Sequence, residues 1–255
     1  MSANASARWG HFEDLRPDQL QEIVDARPIA WWPLGLLEHH GYALPAGFDG
    51  VKAKRFCERI AAKAGGVVLP VMWWGADGGH GDFKWTLYQP RDVGEKVLDT
   101  TVRKLITFGF RAIIVYAGHY PWQGVMDRVL APIAGEHPDV LLRWGFEGTL
   151  GGKDLDIPGD HASRWEVSYG LALLPDLVDT GALRPHSEAE AAKAWPTSGP
   201  PPAAQQFKGI TFDAKNPLFA QYGEDPRATA SAAAGEAQMK KLEDRLLSLI
   251  SAHLA

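Results

Sequence analysis

The sequence predicts an α/β fold: a three-layer sandwich with a mostly parallel sheet and helices on both faces. Two observations carry this. Short apolar runs alternate with segments of helical periodicity through most of the first 175 residues, and the helical segments are long enough to cross between parallel strands. The 255 residues are also 45% hydrophobic, enough for one substantial core. A single α/β domain over 1–255 is therefore expected.

The elements follow in order. Residues 29–37 (IAWWPLGLL) form a continuous apolar run ending in a polar burst, as a buried strand does. Over 50–64, Ala53, Cys57, Ile60, Ala61 and Ala64 recur at helical spacings, which places Cys57 on a packing stripe. A strand at 66–74 and a helix at 92–108 come next; Gly109 sits where that helix should stop. RAIIVYA (111–117) is the clearest strand. It is followed by a helix at 123–135, a strand at 139–146 and a helix at 162–173, ahead of Pro175. The stretch 184–226 is rich in Pro, Ala and Ser and reads as a long surface excursion or subunit arm. A closing helix over roughly 227–253 has Met239, Leu242, Leu246, Leu249 and Ile250 on one face.

Composition narrows the function. With 31 acidic and 26 basic residues the formal charge is −5, and no dense Lys/Arg run occurs, so a nucleic-acid partner is not expected. No apolar run approaches the roughly 20 residues of a membrane span. The first residues lack a basic-then-apolar signal pattern, so a cytoplasmic protein is expected. No strand runs into G-x-G-x-x-G and no G-x-x-x-x-G-K-[ST] occurs, which argues against a dinucleotide-binding oxidoreductase. The single cysteine excludes a thiolate-rich metal site.

In parallel sheets, ligands bind beyond the carboxyl ends of the strands. Reading outward from those ends gives Glu38-His39-His40, then Asp77 to Asp82 with His80, then Gly118-His119-Tyr120, then Glu147, and later Asp160-His161 before Glu166. His11, His137 and His186 are scattered and read as ordinary surface residues. Imidazole with carboxylate suits Zn²⁺ or Mn²⁺. Trp73, Trp74, Trp85, Tyr120, Trp122 and Trp144 also fall at or just beyond strand ends, where they would wall a pocket for a flat ring. Of these, Trp122 sits in a loop and is the better pocket candidate.

The string GLLEHHGYALPAGFD (Gly35–Asp49) resembles the creatininase-family signature, G-x-x-E-x-H-G-x-x-L-P followed by an Asp. Ala117-Gly118-His119-Tyr120 resembles the family's GH loop, and His80-Gly81-Asp82-Phe83 its H-x-x-F segment. Asp160 to Ser168 is similar to its HA-x-x-x-E-T-S segment, with Val167 in the Thr position. Gly223 to Pro226, followed by small residues, also fits. These matches span about residues 30–235.

The resemblance implies metal-dependent hydrolysis of a C–N bond in a small cyclic or linear amide, with metal-activated water as nucleophile and one or two Zn or Mn ions. Glu38 and His119 would ligate one ion and His40 the other, with Asp49 bridging. His161 would shuttle the proton to the leaving nitrogen, oriented by Asp160 or Glu166. Tyr120, Trp122, His80 and Trp85 would contact substrate. Tyr42 stands where creatininases often carry a second histidine, a hint that creatinine is not the substrate. A ring-like homo-oligomer, commonly a hexamer, is implied as well.

One position departs from the family pattern: a second acidic ligand normally follows two residues after the GH-loop histidine, and Pro121 is there. Three readings stay open. The site is mononuclear, on Glu38, Asp49 and His119; or Glu166, Asp82 or Glu147 supplies the oxygen; or metal is bound without the family's chemistry. The alternatives to an amidohydrolase are thus a noncatalytic metal- or ligand-binding protein and a lactone hydrolase with a mononuclear site.

Overall fold

The computed structural model describes residues 8–75, 83–194 and 209–255. His80, Asp82 and the Pro-rich centre of the 184–226 stretch lie outside them. Strand β1 (Trp9–His11) is followed by helix α1 (Pro17–Ala26), β2 (Ile29–Leu34), α2 (Phe48–Ala64) and β3 (Gly66–Val68). Then come α3 (Arg91–Thr107), β4 (Ala112–Ala117), α4 (Trp122–Glu136), β5 (Leu141–Gly145) and the short α5 (Glu147–Leu150). α6 (Arg164–Leu173), α7 (Glu188–Ala191), α8 (Pro226–Thr229) and α9 (Ala232–Leu254) complete the order.

The five strands pair in parallel in the order β1-β3-β2-β4-β5. Alternate side chains of the buried strands feed two separate cores, as a period of two demands. Ala30, Trp32 and Leu34 of β2, with Ile113 and Val115 of β4, pack under α1, α3 and α4. Ile29 and Trp31, with Ile114 and Tyr116, pack under α2, α6 and α9. The predicted three-layer sandwich is present. Among the described residues no helix is long and apolar enough to cross a membrane.

The strand order positions the site. From β2 the chain passes through α2 to β3 on one side, then through α3 to β4 on the other. α2 and α3 cover opposite faces. The loops leaving β2 and β4 therefore part at a topological switch point, where an α/β sheet opens a crevice.

Several expectations are corrected. The strand expected over 66–74 is regular only to Val68; Pro70 has no N–H to donate, and pairing resumes at Met72, which bridges to Leu34. The closing helix is two pieces, α8 and α9, separated at Ala230-Ser231, where the Ser231 side chain accepts from the Ala234 N–H. β1 and α1 went unread because one is three residues long and the other carries only Leu20, Ile23 and Val24 as large apolar anchors. His11 pairs with Glu58 at 2.8 Å and the His186 ring packs against Tyr42 at 4.1 Å, tilted by 37°, so neither is an idle surface residue. Part of the described 184–226 stretch packs back onto the protein: Phe219 and Ala220 are buried, and Tyr222 pairs with His161.

Two glycines give a contrasting test. A Cβ on Gly118 would lie 2.1 Å from the Asp49 carbonyl oxygen, whereas one on Gly124 would meet nothing within 4 Å. Gly118→Ala should lower stability in urea by about 1–3 kcal/mol. Gly124→Ala, within α4, should raise it by roughly 0.5–1 kcal/mol. Equal effects of the two would refute the close approach of β4 to α2.

Candidate metal centre

Helix α2 begins almost on top of the strand ends. A Cβ on Gly35, just past β2, would lie 2.4 Å from the Gly50 Cα. Together with Gly118 this closeness lets the first turn of α2 drop between the β2 and β4 loops, carrying Asp49 to Glu38 and His119. The helix N-terminus also favours a carboxylate there.

Glu38, His40, Asp49, His119 and Glu166 are all buried. His119 Nδ1 lies 2.9 Å from Glu38 Oε2 and 3.4 Å from Asp49 Oδ2. His40 donates Nδ1–H to the Glu38 carbonyl at 3.1 Å, which turns its Nε2 to Asp49 Oδ1 at 3.1 Å, Glu166 Oε2 at 3.8 Å and Glu38 Oε2 at 3.9 Å. A backbone-anchored imidazole with its other nitrogen aimed inward is the usual posture of a metal-ligating histidine. Tetrahedral zinc, with bonds of about 2.0–2.2 Å, sets its ligand atoms about 3.3–3.6 Å apart, close to these separations.

Three groups of donors lie within 4.8 Å: Glu38, Asp49 and His119; His40, Asp49 and Glu166; and Glu38, His40 and His161. In the first, Asp49 Oδ2 and His119 Nε2 are buried without a hydrogen-bond partner. Orphaned buried polar atoms are rare in folded chains, and Asp49 Oδ2, 3.4 Å from the His119 Nδ1 that also faces Glu38, lies where a cation would suit. The donors, imidazole and carboxylate, fit Zn²⁺ or Mn²⁺.

Protons and charges in this cluster are tightly linked. Burial pulls His40 and His119 down, but the carboxylates outweigh it. Asp49 holds His40 up at about 9, and Glu38 with Asp49 holds His119 up at about 10. Burial pushes Asp49 up, yet the two histidines bring it down to about 2. Glu166 is pushed up to about 8 by burial, against the pull of Lys52 and His40.

His161 donates Nε2–H to the His39 carbonyl at 3.0 Å, leaving Nδ1 facing Glu166 Oε2 at 3.9 Å. Glu166, not Asp160, is its carboxylate neighbour. The two Asp160 oxygens accept from the backbone N–H groups of Trp165 and Glu166 at 2.7 and 3.1 Å, so Asp160 caps α6 and does not orient the imidazole. His39 packs among Phe83, Tyr42 and Phe219, outside the donor cluster.

A cavity of about 390 Å³ opens over the cluster, lined by Glu38, Asp49, His119, His161 and Glu166 together with Tyr120, Pro121 and Tyr222. The expected tryptophan wall is absent among the described residues. Trp122 is fully buried under α3 and donates its indole N–H to the Gly35 carbonyl at 3.0 Å; the first position of α4 turns it into the core. Trp85 is largely exposed, with Lys84 over its ring, and does not line the cavity. Trp144 bonds Asp127 at 2.8 Å in a separate groove. Glu147 is also removed from the ligand candidates. Its oxygens accept from Tyr120 at 2.7 Å, Tyr116 at 3.1 Å and the Lys52 ammonium at 3.2 Å.

Two residues of the site escaped the sequence reading. Tyr222 lies in a segment with no periodic signal. Lys52 sits one turn after Asp49 on α2, a spacing that places both on one face, but lysine at that spacing ordinarily reads as a solvated position.

The family model described as creatinine amidohydrolase matches residues 13–250. A creatinine amidohydrolase of Pseudomonas putida is 26% identical over 183 residues, covering 62% of this chain and 68% of that protein. A 3-dehydro-scyllo-inosose hydrolase of Thermotoga maritima is 26% identical over 186 residues, covering 66% of this chain but only 57% of its own length. A creatininase crystal structure superposes with a TM-score of 0.67 at 21% identity, over 97% of each chain. Zinc and manganese forms of creatininase share the fold. With the family model matched over nearly its whole length, this chain belongs to the creatininase family.

Proposed function

We propose that the chain is a metal-dependent hydrolase of the C–N bond in a small cyclic or linear amide other than creatinine, with water as nucleophile. One observation supports this above the rest: Glu38, Asp49 and His119 converge within 4.8 Å, with Asp49 Oδ2 lacking a hydrogen-bond partner, in the lining of a cavity sized for a small molecule. A divalent Zn or Mn ion held by Glu38, Asp49 and His119 would lower the pKa of water and polarise the substrate carbonyl.

The remaining work falls to side chains of this protein. An amide nitrogen leaves poorly as an anion and must be protonated. His161, fixed through Nε2 to the His39 carbonyl, holds the exchangeable proton at Nδ1 and passes it to the leaving nitrogen. Glu166, pushed up by burial, faces His161 Nδ1 at 3.9 Å and favours its protonated form when ionised. Tyr120 and Tyr222 flank the cavity and exclude water from the scissile bond. Because Pro121 offers no side-chain donor where it lines the cavity, a lactone hydrolase with a mononuclear site is the second reading; its alkoxide leaving group needs less protonation.

Chelation should abolish turnover across a panel of cyclic amides, linear amides and lactones, and Zn²⁺ or Mn²⁺ should restore it. Bound metal with no turnover on any of them would overturn the hydrolase reading. His161→Gln, which keeps an N–H for the His39 carbonyl but cannot titrate, should lower kcat by about 10²–10⁴ with little change in KM.

The linked protons predict a pH signature. Raised histidine pKa values stabilise the metal-free fold fully below their unfolded value of about 6.5, a contribution lost as pH rises through 9 to 10. Glu166 acts in the same sense: with its pKa raised to about 8, the unfolded chain gives up this proton first, so stability falls from about pH 4.3 up to about 8. The Tm of chelated protein should therefore fall from pH 6.5 to 9.5. The rise in Tm on adding Mn²⁺ should grow over that range, since the ion replaces those protons. A metal-induced shift independent of pH would contradict the assignment.

A further inference from the structure

Lys52 is completely buried and has no part in the mechanism above. Its ammonium lies 3.2 Å from Glu147 Oε1 and 3.7 Å from Glu166 Oε1. The rings of Phe48, Tyr120 and Tyr169 surround it at 5.1, 5.1 and 5.9 Å. We propose that the Lys52 ammonium is a built-in cation that retains Glu166. The centre then takes one divalent ion, at Glu38, Asp49 and His119, and not a second at His40, Asp49 and Glu166. This rests on the metal-dependent reading of the same site.

The two donor groups differ in what their atoms already do. In the first, His119 Nδ1 and Glu38 Oε2 face each other at 2.9 Å, but Asp49 Oδ2 makes no hydrogen bond. In the second the atoms are satisfied. Asp49 Oδ1 and His40 Nε2 face each other at 3.1 Å, Glu166 Oε2 accepts from the Ala162 N–H at 2.7 Å, and Glu166 Oε1 faces Lys52. An ion bound to Glu166 Oε2 would also lie within about 8 Å of the ammonium, in a low-dielectric interior where like charges repel strongly. Pro121, in the cavity lining, has no side-chain oxygen to offset that repulsion.

Glu147 explains why the ammonium stays. Two phenols and Lys52 donate to its two oxygens, so removing the lysine alone would strand a buried carboxylate. The lysine is therefore held from below by Glu147 and presents its remaining charge to Glu166.

Equilibrium dialysis against Mn²⁺, with metal analysis and electron paramagnetic resonance, tests the proposal. The unmodified protein should hold one Mn²⁺ per chain, with the spectrum of an isolated ion. Lys52→Met should raise this to two, with the spin coupling of ions about 3.5–4 Å apart. If that variant does not fold, Lys52→Met combined with Glu147→Gln removes the stranded charge, and it too should hold two. Lys52→Arg, which keeps the cation, should hold one. Two ions in the unmodified protein, or one in a folded Lys52→Met or doubly substituted chain, would overturn the proposal while leaving metal dependence intact. No Mn²⁺ or Zn²⁺ in the unmodified protein would instead overturn the metal reading itself.

Discussion

The start of helix α2 on the strand ends is the contact on which the site depends. Gly35 and Gly50 touch through their backbones, and Gly118 lies against the Asp49 carbonyl; a side chain at Gly35 or Gly118 would force the layers apart. Parallel strands with helices on opposite faces already open a crevice at the switch point. The glycines bring the helix low enough for Asp49 to face Glu38, His40 and His119 together. The geometry of the donors thus follows from a backbone packing requirement, and the charge of Asp49 is favoured by its place in the first helical turn.

Gathering carboxylates out of water requires compensating charge, and the protein supplies it in two ways. On one side His40 and His119 take up protons or yield them to a cation, so their state responds to pH and metal. On the other, Lys52 is a permanent ammonium, held raised by Glu147, Glu166 and Asp49 against the downward pull of burial. Glu166 lies between the two, touching Lys52 through one oxygen and facing His40 and His161 through the other. Its protonation is the hinge between a fixed charge and an exchangeable one.

Backbone strain collects at the same place. Ala162 and Ala220 both have positive φ, at 51° and 65°, and they flank the bridge that joins His161 to Tyr222. Non-glycine residues there cost of order 1–3 kcal/mol each and persist only where the surroundings impose them. The first directs the Ala162 N–H to Glu166; the second precedes the turn that brings Tyr222 over the cavity.

Much of this was legible in the residues. Alternating strand and helix patterns define the three layers, the single cysteine, on a packing stripe, points the donors to nitrogen and oxygen, and the Gly35–Asp49 string carries three of the candidate donors. What the chain order leaves open is which side chains meet across long separations. Lys52 and Glu147 are 95 residues apart, and His161 reaches the His39 carbonyl across 122. Trp122 looked like a pocket wall, because its position at the start of α4 does not reveal whether it turns inward or outward. The sequence alone determined the layers and the kinds of donor, since both are written in local periodicity and residue type. Only the tertiary structure decided which carboxylates meet the lysine and which meet the histidines, because that depends on distances set by how α2, α5 and α6 pack over the sheet.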